Sequence, residues 1–304
     1  MSTLSLSLLS RLWLSEPEAE PLAVAREAGL AGGNDPAAIA SAWADLFLLN
    51  VYPYGTAFTD PSGELNGPAA WAALARFDAA GYDPPELAAV GAPDHVGLCL
   101  GFLAHLEESG RRDPAFLAEI LDWIPVCALA VERQPMASDF FRALAVATRE
   151  ALLARLGELA PPGLAAAAPP PPADALGEEL DLSGVVRILL TPASSGFFLS
   201  RSRLGAVALD AGMHLPFGTR RDIARALFEA AGECGRIEPI LASLRSEADA
   251  WDAAYAALAS AHPGWESRAR LWQGRLASTR ELLSGMRRIL DTPLEVEYGS
   301  GQQV

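Results

Sequence analysis

The apolar residues of this chain recur at helical spacing over almost its whole length, and this periodicity constrains the fold more than any other feature of the sequence. It predicts helices over 37–50, 138–159 and 239–290. The stretch from His95 to Glu108 is apolar on nearly every side, which is typical of a helix at the centre of a core. No run alternates apolar and polar residues for long enough to require a β-strand. The sequence therefore predicts an all-α fold.

Glycine, proline and capping residues predict where helices begin and end. Asp94 is the expected N-cap of the central helix, and Asp113 is expected to start a later one. Pro125 falls inside an apolar helical pattern, so we expect that helix to kink or end there. Residues 51–68 and 81–93 contain several Gly and Pro and are predicted to be loops.

A segment of alanine and proline divides the chain. It includes four consecutive prolines at 169–172 and has too little apolar bulk to bury a core, so it favours an extended, semi-rigid form. We therefore predict a helical domain at 1–160, a linker at 161–173 and a helical C-terminal extension of unknown role at 174–304.

The charge of the chain is acidic and unevenly distributed. Among 304 residues there are 38 acidic residues against 23 Arg, with no Lys, and the formal net charge is −15. Residues 1–160 carry 21 acidic residues and 9 Arg, a net charge of −12, whereas residues 161–304 carry 17 and 14, a net charge of −3. Nucleic acid is disfavoured as a partner because phosphates require a basic face. A basic peptide is favoured, and the N-terminal half would attract it.

Motifs for common catalytic sites are missing from the sequence. There is no phosphate-binding loop ending in Lys, no His-Glu-x-x-His, no Cys-x-x-Cys and no Gly-x-Ser-x-Gly. The nearest approach to a metal site is Asp94, His95 and Cys99, which we interpret as a helix start beside a core thiol. Ser194 and Ser195 are interpreted as turn or capping residues. We therefore predict no enzymatic activity and no cofactor.

The sequence predicts a cytoplasmic protein. Cys99, Cys127 and Cys234 are too few and too scattered for a disulfide framework, and the N-terminus lacks the basic region that opens a secretory signal. The longest strongly apolar runs, 96–104 and 123–131, have half the length of a spanning helix, so no direct membrane insertion is expected.

A series of short motifs runs in order through the first half of the chain. The series comprises LLSRLW at 8–13, WADLF at 43–47, YPYGTAF at 52–58, PDH at 93–95, WIP at 123–125 and DFF at 139–141. In this order the motifs resemble those of the TorD/DmsD/NarJ family over about residues 1–158. Gly55 and Thr56 depart from the Glu and Ser usual in that family's loop, and Gly91 and Ala92 stand where an acidic residue usually precedes the Pro-Asp-His motif.

The resemblance implies a function as well as a fold. Members of that family are all-helical, non-enzymatic cytoplasmic chaperones for the maturation of molybdoenzymes. They bind the apo catalytic subunit of a molybdopterin-containing oxidoreductase, often through its twin-arginine signal peptide, during cofactor insertion. Carboxylates would take the arginines of such a peptide, and an aromatic groove its apolar part. Relatives also exchange helices between protomers, which implies that oligomers can form.

The resemblance and the aromatic residues of the loop together define candidate client-binding residues. Asp94 and His95 would form a hinge between two helical halves, and aromatic side chains would support or line the client groove. The candidates are Asp94, His95, Trp43, Phe47, Tyr52, Tyr54, Phe58 and Phe102. The alternative hypothesis is a helical scaffold or regulatory module that binds its partner through the C-terminal half.

Overall fold

The computed structural model describes residues 4–32, 35–61, 66–158 and 181–291, and within these ranges the chain is helical with one isolated β-bridge and no strand. The helices of the N-terminal part are α1 (Leu6–Leu14), α2 (Ala19–Glu27), α3 (Pro36–Trp43), α4 (Gly55–Thr59), α5 (Pro68–Ala80), α6 (Leu87–Val90), α7 (Val96–Glu108), α8 (Pro114–Leu121), α9 (Ile124–Glu132) and α10 (Asp139–Leu153). Those of the C-terminal part are α11 (Leu182–Leu190), α12 (Pro192–Ser195), α13 (Arg201–Asp210), α14 (Arg220–Glu233), α15 (Ile237–Ala261) and α16 (Glu266–Asp291). The predicted all-α fold is confirmed.

Several boundaries differ from those expected. The helix predicted over 37–50 ends as an α-helix at Trp43 and continues as a π-helical turn over Ala44–Leu48. The two predicted loops contain the short helices α4 and α6. The region predicted as helical over 239–290 is two helices, because a 3₁₀ turn at Pro263–Trp265 separates α15 from α16.

The start of the central helix α7 corrects one prediction. His95, not Asp94, is the N-cap, and its Nδ1 accepts the backbone N–H of Gly97 at 3.0 Å. Gly97 also permits a close approach of α1, because a Cβ there would lie 2.6 Å from the side chain of Leu14. The hydroxyl of Ser10 on α1 donates to the carbonyl of Gly97 at 2.7 Å. Helix α7 is therefore packed tightly against α1.

The apolar region around Pro125 is broken into two helices, as predicted. Helix α8 begins after the N-cap Asp113, whose carboxylate accepts a backbone N–H of the first turn at 2.9 Å, and it ends at Leu121. Helix α9 begins at Ile124 with Pro125 in its first turn. A backbone N–H in the first turn has no acceptor within the helix, so the missing N–H of proline costs no hydrogen bond there. Because α8 stops here, its last carbonyl groups need donors from elsewhere.

Side chains of the C-terminal part supply those donors. The indole N–H of Trp265 donates to the carbonyl of Leu121 at 2.9 Å, and that of Trp272 donates to the carbonyl of Asp122 at 2.9 Å. Arg268 donates to a further α8 carbonyl at 3.1 Å and to the carboxylate of Asp122 at 2.6 Å. A cation at this end of a helix is also favoured by the helix dipole. The end of α8 is therefore capped from beyond residue 181.

The apolar core continues from one part of the chain into the other. Phe198, which precedes α13, stacks on Phe58 with ring centroids 5.3 Å apart, and Phe58 stacks in turn on Trp123 at 6.1 Å. The predicted linker at 161–173 lies outside the described residues, and the division into two domains stays a prediction.

A buried carboxylate joins three helices. Glu247 on α15 is 3% exposed, and it is ion-paired with Arg203 on α13 and, at 3.1 Å, with Arg133 just after α9. Its Oε1 also accepts the indole N–H of Trp251 at 2.9 Å. A buried charge is tolerated where it is paired and hydrogen-bonded in this way.

The stretch Pro114–Glu132 is the one described region long and apolar enough to cross a membrane by length and composition. In the fold, 72% of it is buried, and it contains the break at Pro125 between α8 and α9. Burial inside the protein accounts for its apolar character.

Candidate functional site

The loop that carries the tyrosines is bound to the Pro-Asp-His segment by backbone hydrogen bonds. The N–H of Gly55 donates to the carbonyl of Asp94 at 2.9 Å, and the N–H of Val96 donates to the carbonyl of Pro53 at 2.8 Å. Tyr54 and His95 form the β-bridge between the two segments. Two motifs about 40 residues apart in the sequence are thereby held as one unit, which we call the hinge.

Asp94 lies inside this hinge. It is 3% exposed, and its Oδ2 accepts the backbone N–H of Thr56 at 2.6 Å, whereas its Oδ1 has no hydrogen-bond partner among the described residues. Burial raises the pKa of Asp94, and the hydrogen bond from Thr56 opposes that rise. The carboxylate therefore fixes the start of α4 and cannot meet a partner molecule in this arrangement.

His95 is equally enclosed. It is 4% exposed, and its ring meets the edge of Tyr54 with centroids 5.0 Å apart. Burial lowers the pKa of His95 to about 3. Because Nδ1 accepts the N–H of Gly97, protonation of that nitrogen would break the cap of α7. His95 is therefore a neutral structural residue at neutral pH.

The two tyrosines are half-buried at the edge of the hinge. The hydroxyl of Tyr54 donates to the carbonyl of Val90 at 3.0 Å, and burial, with the nearby Asp94 charge, raises its pKa. The ring of Tyr52 carries the guanidinium of Arg220 at 5.4 Å from its centroid. One face of Tyr52 is therefore covered by the C-terminal part of the chain.

Phe58 is fully buried between Trp123 and Phe198. Trp123 also packs closely on Gly55. A Cβ at residue 55 would lie 3.2 Å from the Trp123 indole, so a larger side chain there would require the indole to shift.

The remaining candidates lie in two other places. Phe47 packs against Trp13 and Phe141, with centroids 5.2 and 5.5 Å apart, and Trp43 packs on Phe47 at 6.0 Å. Phe102 is 1% exposed and lies in a separate aromatic group on α7. The structure thus brings together five candidates. These five are Asp94, His95, Tyr52, Tyr54 and Phe58.

An exposed apolar patch was not singled out from the sequence. Leu48 is 60% exposed, Leu49 is 47% exposed and Met136 is 49% exposed. The amide of Asn50 donates to the sulfur of Met136 at 3.1 Å, so the two segments are adjacent. The run of four apolar residues at 46–49 was the available signal, because a helix cannot turn four consecutive side chains toward one core.

No group of three or more His, Cys, Asp or Glu side chains in the described ranges could hold a metal ion. Cys99 is buried on α7, and burial raises its pKa well above the usual value. Ser195 donates to the carbonyl of Thr191 at 3.1 Å, and Ser200 is the N-cap of α13. Ser195 and Ser200 therefore stabilise local turns and helix ends, and Cys99 packs in the core.

Comparison with known proteins finds a family match for the N-terminal part. Residues 14–134 match the profile of the family described as nitrate reductase delta subunit, and residues beyond 134 are unmatched. Neither the curated proteins nor the solved structures contain a significant match. The matched range includes the whole hinge and the resembling motifs from 43–47 to 123–125. Over residues 14–134 the chain is thus similar to the nitrate reductase delta subunit family, a family of the NarJ/TorD chaperone type.

Proposed function

We propose that this protein is a cytoplasmic chaperone that binds the apo catalytic subunit of a molybdopterin-containing oxidoreductase and holds it during cofactor insertion. The family match over residues 14–134 carries this proposal, because that family acts generally in molybdoenzyme maturation. The acidic net charge of the N-terminal half supports a basic segment of the client, such as a twin-arginine signal peptide, as the bound element.

The client would dock on the exposed patch of Leu48, Leu49 and Met136. Asp45 lies exposed on the same π-helical turn, and Asp139 follows Met136 by three residues with its side chain 89% exposed. An apolar patch with carboxylates at its edge complements a peptide that carries arginines beside an apolar stretch. Asp94 and His95 would act indirectly, since they hold the hinge in shape.

The test is capture of the client by tagged protein from the native host, read by mass spectrometry. A Leu48→Ser, Met136→Ser double variant should lose most of the captured oxidoreductase subunit, because it removes apolar contact area without touching the core. Leu209→Ser is the matched control, since Leu209 is 74% exposed on α13 in the C-terminal part. Undiminished capture by a folded double variant would contradict docking on this patch, and the absence of any molybdoenzyme subunit would contradict the function.

A second candidate, the helical scaffold, rests on exposed apolar residues in the C-terminal part. Leu209 is 74% exposed and Phe217 is 95% exposed. If the scaffold function holds, Leu209→Ser and Phe217→Ser should abolish capture of a partner that is not a molybdoenzyme subunit, while the Leu48→Ser, Met136→Ser variant retains it. The same experiment therefore separates the two functions.

A further inference from the structure

A cavity of about 200 Å³ lies between α16 and the corner formed by α8 and α9. The family-matched part contributes Trp123, Asp122 and Ala69 to its walls, and α16 contributes Arg268, Trp272 and Arg275. The cavity therefore depends on both parts of the chain, and four of its nine lining residues lie outside the family match.

The charges at the cavity are paired with one exception. Arg268 is 2% exposed and bonded to Asp122, and the Glu119 carboxylate at the wall is ion-paired with Arg76 at 3.3 Å. Arg275 has no carboxylate at ion-pair distance among the described residues, and its guanidinium lies 4.4 Å from the centroid of the Trp272 ring. Burial lowers the pKa of Arg275, and the nearby Tyr255 and Asp122 oppose that lowering.

We propose that the cavity binds a small organic anion, a carboxylate or phosphate ester with a flat apolar body. The anionic group would take the planar N–H donors of Arg275, which match two acceptor oxygens at once. The apolar body would lie against the indoles of Trp123 and Trp272. Five of the nine lining residues are polar or charged, so polar groups as well as the indoles would hold the ligand.

Occupancy of this site would reinforce the contact between the two parts of the chain. The anion would join α16 to Trp123, which contacts the hinge through Phe58. A ligand that binds only the folded protein raises its melting temperature, and the rise grows with the logarithm of ligand concentration above the dissociation constant. The inference does not depend on the proposed chaperone function, since it rests on the cavity and on Arg275, which forms no direct ion pair among the described residues.

The test uses the full-length protein with benzoate, phenyl phosphate and the neutral analogue benzamide. Tryptophan fluorescence and the melting temperature are followed during each titration. For so small a probe, at least one anion should bind saturably with a dissociation constant on the order of 1 mM, and benzamide should bind at least about tenfold more weakly. The stronger anion identifies carboxylate or phosphate as the preferred group. Equal responses to benzamide and to the anions, or no saturable response to either anion, would overturn the proposal.

Substitutions in the cavity and outside it test where the anion binds. Arg275→Gln should weaken anion binding at least about tenfold, whereas Arg270→Gln, on the same helix with its side chain 70% exposed, should leave it unchanged. Ala69→Phe, at the partly exposed start of α5, should fill the cavity and abolish binding in a protein with wild-type circular dichroism. Wild-type affinity in either cavity variant would mean that the anion binds elsewhere, and it would overturn the proposal. If Arg275→Gln does not fold, the Ala69→Phe result decides.

Discussion

The two parts of the chain use arginine differently. The N-terminal part has few arginines, and its pairs include exposed ones such as Arg11 with Glu20, whose side chains are 50% and 66% exposed. The C-terminal part has more, and some of them contact N-terminal residues. Arg268 caps α8 and Arg220 covers Tyr52, both without becoming solvent-exposed charges. Surface pairs contribute little to stability, whereas buried ones fix geometry.

These contacts show that the C-terminal part packs against the N-terminal part and completes its hydrogen bonding. The break at Pro125 leaves carbonyl groups at the end of α8, and donors from α16 and the turn before it satisfy them. The aromatic contact of Phe198 with Phe58 extends the same interface to the hinge helix α4. The hinge of the matched family domain is therefore packed on one side by residues that the family profile does not match.

The most severe way to break this arrangement is to end the chain at residue 158. The truncated protein would expose the aromatic rings of Phe58 and Trp123, each worth about 1.5–3 kcal/mol of burial, and would leave the α8 carbonyls uncapped. Since a domain has only about 5–15 kcal/mol of stability, we expect loss of cooperative unfolding and aggregation on size-exclusion chromatography. Residues 181–304 supplied as a second chain should restore a soluble complex. A monomeric 1–158 fragment with a cooperative melt would show that the N-terminal part folds alone.

A single substitution at the buried carboxylate tests the same interface more finely. Glu247→Ala leaves Arg133 and Arg203 without their carboxylate and should lower the free energy of unfolding by about 3–5 kcal/mol in urea denaturation. Glu229→Ala is the control, because Glu229 forms an exposed helix pair with Arg225, and surface pairs of this kind contribute little to stability. Similar losses in both variants would mean that the buried network does not join the parts.

The smallest expected effect concerns the hinge and acid pH. The folded-state pKa of His95 lies below its unfolded value, so its contribution is complete above pH 6.5 and is lost as pH falls toward 3. At pH 5 the loss is about 2 kcal/mol. Asp94 acts in the opposite sense, because its raised pKa means that protonation relieves a buried charge.

His95→Asn separates this contribution from those of the other groups. Asn keeps a capping acceptor for α7 but does not titrate, so the variant should lose about 2 kcal/mol less than the wild type between pH 7 and pH 5. Urea denaturation at pH 7 and at pH 5 measures the free energy of unfolding of the wild type and of the variant. Parallel pH profiles for the two proteins would show that His95 is not held neutral.

Local signals predicted the helices well and the helix starts less well. Asp113 and Pro125 gave correct boundaries because capping and the missing proline N–H act within one turn. Asp94 was wrong as an N-cap, since the carboxylate bonds instead to Thr56 on a distant loop. The short helix α4 was missed for the same reason, because its start is held by residues 38 positions away.

The candidate site was partly predictable. The Tyr-Pro-Tyr loop and the Pro-Asp-His motif are hydrogen-bonded to each other, but Trp43, Phe47 and Phe102 lie in other parts of the core. A sequence shows that a residue is aromatic, but it does not show which other residues that side chain packs against in the fold.

The sequence by itself determined the all-α class, the similarity of residues 14–134 to the nitrate reductase delta subunit family and the acidic character of the N-terminal half, because periodicity, ordered motifs and charge are properties of the linear chain. Only the tertiary structure decided that Asp94 and His95 are buried, that Leu48, Leu49 and Met136 are exposed, and that the C-terminal helices cap α8. The burial of Asp94 and His95 depends on contacts about 40 positions away, and the capping of α8 depends on contacts more than 100 positions away; no local pattern records which residues meet.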